Sequence, residues 1–259
     1  PTGALNILVA EDTLFNQKFI RRLLARWGHK ATIVENGLAA LSAVSQNNFD
    51  VVLMDVQMPE MDGFEATEKI RAMESSTKRH VPIIAMTAHA MKGDRERCLE
   101  AGMDDYVPKP ISSETLLNVI NALVDRHQVS DIVSMPDEAQ TKTDPPLFDR
   151  KALLQAFDND WDFFMEVVDL FVADYPQMMA DIKQAIDQQD PSKLERTAHA
   201  LKGMLGNFQV DASVEKAFVL EKLGRDKTFD NAGATFDTLT EELARLEEIF
   251  VNMSQEKSN

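Results

Sequence analysis

The sequence predicts two domains, an open, doubly wound α/β sheet of five parallel strands followed by an all-α antiparallel helical bundle. Within residues 1–127, five short apolar runs alternate with five amphipathic segments, whereas residues 147–253 show helical periodicity and no strand pattern. Residues 128–146 are polar and rich in turn-forming residues, which predicts a flexible linker. A length of 259 residues is enough for two domains, each with its own core.

The apolar runs of the first region predict the strands. Most of them are apolar at consecutive positions, which is typical of parallel sheets that are covered by helices on both faces. The runs comprise residues 5–10, 32–35, 51–55, 81–86 and 105–107. The amphipathic segments predict helices at residues 14–27, 37–47, 64–74, 91–101 and 112–126. In such folds, ligands bind beyond the carboxyl ends of the strands, near the point where the strand order reverses.

The second region predicts helices only. The helical segments comprise residues 149–157, 160–189, 191–208, 212–225 and 229–252. Pro176 lies inside the second segment and is expected to bend or split it, because proline lacks a backbone donor and clashes with the preceding turn. Residues 254–259 are predicted to form a frayed tail, since chain ends are poorly ordered unless other elements hold them.

The negative charge of the chain is concentrated in its second half. The net charge is −16; residues 1–127 carry 14 lysines and arginines against 17 aspartates and glutamates, and residues 128–259 carry 13 against 26. Affinity for nucleic acid comes chiefly from contacts of lysine and arginine with phosphates. The composition therefore predicts no direct binding of nucleic acid.

The cysteine content and the hydropathy suggest where the chain is located. The single cysteine, Cys98, excludes an intramolecular disulfide framework, and this fits a reducing, cytoplasmic environment. No apolar run approaches the roughly 18–20 residues of a membrane-spanning helix, so we expect no membrane contact by this segment. The chain begins with Pro1 and not with methionine, which suggests a piece of a longer polypeptide that can itself be membrane-anchored.

Polar residues follow the predicted strands at the edge where a ligand is expected. Glu11 and Asp12 follow the first strand, Asp55 ends the third, Thr87 follows the fourth and Lys109 follows the fifth. Three converging carboxylates repel one another unless a cation lies among them, and such oxygen ligands suit Mg²⁺. With the metal present, Asp55 can stay ionised and attack phosphorus as a nucleophile. Thr87 and Lys109 then supply a hydroxyl donor and a positive charge to the phosphoryl oxygens.

These motifs resemble the receiver domains of two-component signalling, which have a flavodoxin-like fold. The resemblance covers about residues 4–126 and is carried by Glu11-Asp12, Asp55, Glu60-Met61-Asp62-Gly63, Met86-Thr87-Ala88 and Lys109-Pro110. It implies that Asp55 is the phosphoacceptor. It also implies that Mg²⁺ is held by Glu11, Asp12, Asp55 and the main-chain carbonyl of Gln57.

The same resemblance implies how the receiver responds to phosphorylation. Tyr106 is similar to an aromatic switch residue that turns inward as Thr87 moves toward the phosphoryl group. The peptide between Lys109 and the following proline is expected to be cis. Asn16 and Gln17 are similar to the corresponding residues in the receivers of hybrid sensor kinases.

The second region contains a histidine on a predicted helix. Leu194, Ala198, Leu201 and Leu205 recur at helical spacing and mark the buried face. His199 lies about 200° around the helix from Leu201, at about 100° per residue, and is therefore expected to project outward. Gly203 and Gly206 leave bare backbone on the stripe of His199, and Lys202 adds positive charge beside an incoming phosphoryl group.

This segment resembles histidine phosphotransfer (HPt) domains over about residues 148–252. The shared motif is His199-Ala200-Leu201-Lys202-Gly203. The resemblance implies that His199 is a phosphoacceptor and that Lys202 and Gly203 support it.

Together, the two resemblances imply a phosphorelay protein from the C-terminal part of a bacterial hybrid sensor histidine kinase. A kinase phosphohistidine, expected within the same parent polypeptide, phosphorylates Asp55, which passes the group to His199 and then to a separate response regulator. No ATP-binding kinase core is visible in the sequence, so the expected activity is Mg²⁺-dependent transfer to Asp55 by the receiver itself. Two alternatives remain open. The chain can be a docking module that is controlled by phosphorylation, or the receiver can drain phosphate from His199 in the reverse direction.

Overall fold

The computed structural model of the chain describes residues 3–77, 79–87, 92–126, 153, 154, 157 and 159–256. The chain divides into two compact units, Pro1–Asp144 and Pro145–Asn259. The predicted linker, residues 128–146, lies outside the described residues, so its flexibility stays a prediction. Most of the predicted helix at residues 149–157 also lies outside them.

The first unit is a parallel sheet of five strands with helices between them. The strands are β1 (Asn6–Ala10), β2 (Lys30–Val34), β3 (Val51–Asp55), β4 (Ile83–Thr87) and β5 (Asp105–Pro108). The helices are α1 (Leu14–Arg26), α2 (Gly37–Gln46), α3 (Gly63–Thr77), α4 (Lys92–Glu100) and α5 (Ser113–Arg126). The strand order is β2-β1-β3-β4-β5, and all four pairings are parallel. The predicted doubly wound α/β fold is confirmed.

Burial along the strands explains which of them the sequence showed most clearly. Every residue of β3 and β4 is buried, and their continuous apolar runs reflect helices on both faces. At the edge of the sheet, β2 is only partly covered, and it starts two residues before its apolar run because Lys30 pairs with Asn6. The strand order reverses between β1 and β3, so a crevice is expected at the carboxyl ends of these two strands.

The start of β4 differs from its prediction because side chains satisfy the main chain there. The strand was expected to start at Val81 but begins at Ile83. The Val81 N–H donates to Glu74 Oε1 at 2.6 Å, and the Val81 carbonyl accepts from Arg71 Nη1 at 2.9 Å. Asp104 Oδ2 accepts from Arg71 Nη2 and from the Ile83 N–H, both at 2.7 Å. These bonds replace strand pairing at the end of the sheet that is opposite the predicted site.

The second unit is helical throughout its described residues. Its helices are α6 (Trp161–Gln188), α7 (Pro191–Gly206), α8 (Asp211–Arg225) and α9 (Ala232–Glu256), joined by short turns. The prediction of a helical domain is confirmed. Helix α9 extends three residues into the predicted tail, and residues 257–259 lie outside the described part of the chain. Among the described helices, none is both long enough and apolar enough to cross a membrane.

Helix α6 is continuous through Pro176, so the proline does not split this segment, and the alternative that it bends the helix stays a prediction. Its buried face extends on both sides of the proline, from Phe163 to Phe171 and again at Met179 and Ile182. In folded proteins, tertiary packing of such a face contributes more to helix stability than local propensity does. The buried face therefore outweighs the hydrogen bond that the proline removes.

Phenylalanine side chains form the core of the second unit. Phe157 packs edge-on against Phe163 and Phe164, with ring centroids 5.6 and 5.3 Å away. Phe171 likewise packs edge-on against Phe208 and Phe250 at 5.1 and 5.8 Å. Such aromatic pairs add about 0.5–1.5 kcal/mol beyond the burial of their area. This core connects α6 to the turn after α7 and to α9.

Helix α7 begins with two residues that favour helix initiation. The Asp190 carboxylate accepts a hydrogen bond from the Lys193 N–H at 3.0 Å, and Pro191 occupies the first helical position. An aspartate N-cap stabilises a helix by about 0.5–2 kcal/mol relative to alanine, and proline at that position has the required backbone angle already. The start of the helix that carries His199 is therefore well defined.

Candidate functional site

The predicted receiver residues meet at the carboxyl ends of the strands. Asp55 is the last residue of β3 and pairs in register with Met86 of β4. Glu11 follows β1, Thr87 ends β4 and Lys109 follows β5. The Glu11, Asp55 and Thr87 residues are buried. Because the carboxyl ends of the parallel strands lie at one edge of the sheet, the fold alone brings these residues together.

Lys109 binds two of the carboxylates at once. Its Nζ donates to Glu11 Oε2 and to Asp55 Oδ2, both at 2.7 Å. Although burial lowers the pKa of this ammonium group, the charges of Asp55 and Glu11 outweigh that effect and raise the pKa above its ordinary value. Lys109 is therefore a permanent cation at the site. The peptide between Lys109 and Pro110 is cis, as predicted.

Glu11, Asp12 and Asp55 form a cluster of oxygen ligands. One carboxylate oxygen from each residue lies within 4.8 Å of the other two, which is close enough to hold a metal ion. Burial raises the pKa of Asp55 to about 8; the nearby charge of Lys109 opposes this rise, and those of Glu11 and Asp12 add to it. A divalent cation among these groups would stabilise the ionised form of Asp55. The donor set consists of hard oxygens and fits Mg²⁺.

The first turn of α1 fixes the orientation of the Glu11 side chain. Glu11 Oε1 accepts hydrogen bonds from Asn16 Nδ2 at 3.0 Å and from the Thr13 N–H at 3.2 Å. Gln17 Nε2 donates to the main-chain carbonyl of Glu11 at 2.7 Å. From the sequence, Asn16 and Gln17 were noted only because they are similar to the corresponding residues of other receivers. The structure shows that Asn16 orients the carboxylate of a candidate metal ligand, whereas Gln17 holds the main chain of the same residue.

The remaining predicted receiver residues lie around this cluster. Gln57 lies in the turn after β3, where its N–H donates to Asp55 Oδ1 at 3.2 Å. The Thr87 carbonyl accepts from the Lys109 N–H at 2.7 Å, which links the ends of β4 and β5. Tyr106 on β5 is half-buried and packs against the apolar cluster between the sheet and α3. The roles of Thr87 and Tyr106 as a switch stay predictions.

Gly63 allows α3 to start against the strand that carries Asp55. A Cβ atom at this position would lie 2.1 Å from the Asp55 carbonyl oxygen and 3.0 Å from Val56 Cα. Both are main-chain atoms, so any side chain at residue 63 would displace the end of β3. The Gly63 N–H donates to the Val56 carbonyl at 3.1 Å and closes this turn.

In the second unit, His199 on α7 faces a carboxylate on α8. His199 Nδ1 lies 3.2 Å from Glu221 Oε1, and only 17% of the histidine side chain is exposed. The prediction that His199 projects outward therefore holds only in part, because its side chain is partly covered. The cause is that α8 packs beside the stripe of His199 and covers part of the imidazole. Gly203 lies one turn further along this stripe and is half-buried, whereas Gly206 is buried.

Glu221 is completely buried and has three cationic or hydrogen-bonding partners. Lys202 Nζ donates to Glu221 Oε2, and Arg225 Nη2 donates to Glu221 Oε1 at 2.6 Å. Burial raises the pKa of Glu221, but hydrogen bonds from His199 and Lys202 outweigh it and hold the pKa at about 2. An ionised carboxylate can only accept, so His199 Nδ1 must carry the proton of this hydrogen bond. The lone pair of a neutral imidazole then lies on Nε2.

Glu221 and Arg225 were missed by sequence reasoning, although one signal was present. The buried residues of α8 recur at helical spacing, and Glu221 lies among Ala217, Leu220 and Gly224 on that face. A charged residue on an apolar face is almost never buried without a partner. That pattern could have indicated a buried ion pair, but it could not have identified His199 and Lys202 as the partners.

Replacement of Glu221 by glutamine should alter the acid stability of the second unit. The folded pKa of about 2 lies below the ordinary value of 4.5, so the carboxylate stabilises the fold above about pH 4.5 and loses this effect as the pH falls toward 2. We expect the free energy of unfolding of wild type to fall more steeply between pH 4.5 and 2 than that of Glu221→Gln. Urea unfolding followed by Trp161 fluorescence in a Trp27→Phe background measures this. If the free energies of unfolding of the two proteins changed equally with pH, the low pKa assigned to Glu221 would be contradicted.

Comparison with known proteins supports both halves of this description. The response regulator receiver domain family matches residues 7–121, and the Hpt domain family matches residues 166–249. The sensor histidine kinase GacS of Pseudomonas protegens is 33% identical over 94% of this chain, and the signal transduction histidine-protein kinase BarA of Escherichia coli K12 is 28% identical over 98%. The chain spans 27% of the length of each of these relatives.

Among solved structures, the chain is similar to the receiver domain of the sensor histidine kinase PA1611 from Pseudomonas aeruginosa PAO1, which holds a magnesium ion in its active-site cleft. That match has 39% identity and a TM-score of 0.43, and it covers 47% of this chain and 98% of the other. The family matches lie on the two structural units in turn. The chain therefore belongs to the response regulator receiver family in its first half and to the Hpt family in its second half.

Proposed function

We propose that the chain is a two-step phosphorelay module. Asp55 accepts a phosphoryl group from a kinase phosphohistidine, His199 accepts it from Asp55, and a separate response regulator accepts it from His199. The observation that carries this proposal is the pairing of a lysine-bound carboxylate cluster in one unit with a carboxylate-oriented histidine in the other. Each arrangement suits a phosphoacceptor, and their presence in one chain suggests transfer between them.

Asp55 is suited to act as the first acceptor. In the transfer step, a carboxylate oxygen of Asp55 forms a bond to phosphorus while the bond from phosphorus to the donor imidazole nitrogen breaks. Lys109 lies close enough to Asp55 to neutralise charge on the phosphoryl oxygens, and the Thr87 hydroxyl is proposed to donate to one of them. Catalysis of this step belongs to the receiver unit.

Mg²⁺ is the proposed cofactor of this step. Glu11, Asp12, Asp55 and the main-chain carbonyl of Gln57 would hold it, and the cation would supply positive charge that offsets the phosphoryl oxygens and the clustered carboxylates. The bonds from Asn16 and Thr13 orient Glu11 for this purpose. A ligand whose orientation is already fixed loses less conformational freedom when the cation binds.

His199 is suited to act as the second acceptor. Because Glu221 accepts the Nδ1 proton, the Nε2 lone pair is available to form a bond to phosphorus while the acyl-phosphate bond to Asp55 breaks. The ionised Glu221 also stabilises the positive charge that develops on the imidazole. Hydrogen bonds from His199 and Lys202 keep Glu221 ionised, and Arg225 also donates to this carboxylate. Lys202 is proposed to assist the phosphoryl group from this position.

The proposed partners follow from these two acceptors. Upstream is a histidine kinase domain, proposed to lie in the same parent polypeptide, and downstream is the receiver of a separate response regulator. The proposed location of this segment is the cytoplasm, where kinases obtain ATP. The acidic composition of the second half argues against nucleic acid as a partner.

A time course of labelling tests the proposal and its direction. Phosphorylated kinase donor is mixed with the chain and Mg²⁺, and the acyl phosphate and phosphohistidine are quantified separately by their different stability to acid and alkali. We expect label on Asp55 first and on His199 later, at a rate that does not change on dilution if transfer occurs within one molecule. Label on His199 before Asp55 would contradict the proposed order. Rapid loss of label from His199 through Asp55, without transfer onward, would support the reverse direction.

Removal of the metal should stop the first step. With a small phosphodonor and excess EDTA, we expect labelling of Asp55 to fall about a hundredfold or more, because the clustered carboxylates then repel the anionic donor. Unfolding of the chain in urea serves as the control and should show that the chain is still folded in EDTA before urea is added. Labelling at an unchanged rate would exclude Mg²⁺ as the cofactor.

A further inference from the structure

Helices α7 and α8 approach each other closely at Gly224. A Cβ atom at this position would lie 2.4 Å from the Glu195 nitrogen, and 2.8 Å from both Glu195 Cα and the Pro191 carbonyl oxygen. All three are main-chain atoms of α7, which cannot move aside as the end of a flexible side chain would. A side chain at residue 224 must therefore push the two helices apart.

The close approach lies one helical turn from Glu221. On α8, Glu221 and Gly224 belong to the same buried face, and both turn toward α7. On α7, His199 and Lys202 follow Glu195 at intervals of four and seven residues and therefore share its stripe. The main-chain contact at Gly224 and the contact between Glu221 and His199 are thus parts of one helix–helix interface.

Arg225 links the close contact between α7 and α8 to the buried carboxylate of Glu221. Its Nε donates to Glu195 Oε1 at 3.1 Å, and its Nη2 donates to Glu221 Oε1 at 2.6 Å. The oxygen that accepts from Arg225 is the same oxygen that faces His199 Nδ1. A shift of α8 away from α7 would therefore change the distance of this oxygen from the imidazole.

We propose that Gly224 is a positioning residue for His199. Because it has no side chain, the backbone of α8 can lie against the backbone of α7, and this holds the Glu221 carboxylate at His199 Nδ1. Gly224 thereby determines which imidazole nitrogen carries the proton. Its effect on phosphotransfer rests on the proposed function, whereas its effect on the imidazole does not.

NMR of the full chain labelled with ¹⁵N-histidine tests this inference directly. In wild type at a pH where His199 is neutral, we expect the protonated nitrogen of His199 to be Nδ1, with the signals assigned by comparison with His199→Gln. Gly224→Ala should shift the population toward the Nε2-protonated tautomer, as should Glu221→Ala. The double variant should show no further shift, because both changes break the same contact. Gly233→Ala is the control, since a Cβ atom there meets nothing within 4 Å.

The rate of transfer to His199 provides the functional measurement. We expect Gly224→Ala to slow transfer from phosphorylated Asp55 about tenfold or more, since a misplacement of about 1 Å can cost about a hundredfold. Gly233→Ala should transfer at the wild-type rate. Histidine signals of Gly224→Ala that equal those of wild type, while Glu221→Ala changes them, would overturn the inference.

Two further outcomes keep the inference separate from the proposed function. If circular dichroism shows that Gly224→Ala does not fold, the inference is tested on the wild-type chain instead. Nuclear Overhauser contacts between the Gly224 α protons and the Glu195 amide proton support the inference, and their absence overturns it. If the tautomer changes as expected but wild-type His199 never accepts phosphate, the positioning role is supported and the phosphorelay proposal fails.

Discussion

Asp55→Asn is expected to abolish phosphorylation of both acceptors when a kinase phosphohistidine is the donor. The amide retains the shape of the carboxylate but is a poor nucleophile, so no acyl phosphate forms. His199 then receives nothing, because its only proposed donor within the chain is Asp55. We expect label on either residue to fall about a thousandfold or more, to background, as is typical when the nucleophile of a covalent step is removed.

A matched exposed carboxylate provides the control for this variant. Glu65→Gln makes the same change of acid to amide at a residue whose side chain is half exposed and pairs with Lys69 on the helix surface, so its labelling should equal that of wild type. The Asp55 variant should remain folded, since Lys109 keeps Glu11 as its partner. Phosphohistidine in Asp55→Asn at the wild-type level would show that the kinase phosphorylates His199 directly, and the proposed order would be wrong.

His199→Gln is expected to separate the two steps. Asp55 and its surroundings lie in the other structural unit, so label on Asp55 should form at the wild-type rate. Transfer to a downstream response regulator should fall about a thousandfold or more, because the variant lacks the nucleophilic nitrogen. Quantifying label on the regulator in a three-component reaction with kinase, chain and regulator measures this effect.

His80→Gln is the matched control for the second variant. His80 is half exposed and contacts Asp104 at the opposite end of the receiver sheet, so this change should leave both steps unaffected. If the regulator is labelled equally well by His199→Gln and by wild type, His199 is not on the route. The docking alternative would then be favoured, in which phosphorylation of Asp55 acts through an interface alone.

The receiver site could be predicted from sequence because topology alone brings its residues together. A continuous apolar run that ends in a carboxylate defined β3 to the residue, and a parallel sheet brings the ends of β1, β3 and β5 to one edge. The start of β4 could not be predicted in this way. It depends on bonds from Arg71 and Glu74 to Val81, which no local periodicity reveals.

The histidine site was only half predictable for a related reason. The periodicity of one helix places His199 relative to its own buried face, but it does not show which residue of another helix packs there. Glu221 reaches His199 through the crossing of α7 and α8, and this depends on the contact at Gly224. Pro176 shows the same limit, because packing on both sides of the proline outweighs the local preference.

The charge of the receiver site has a consequence for the order in which its ligands bind. Without a metal, burial raises the pKa of Asp55 to about 8, so this carboxyl is mostly protonated near neutral pH and is a poor nucleophile. A divalent cation among the oxygens of Glu11, Asp12 and Asp55 would favour the ionised Asp55 and add positive charge that attracts an anionic phosphoryl donor. We therefore expect ordered binding, with the cation first and the donor second. The supply of divalent cation would then set how often an encounter with the kinase is productive.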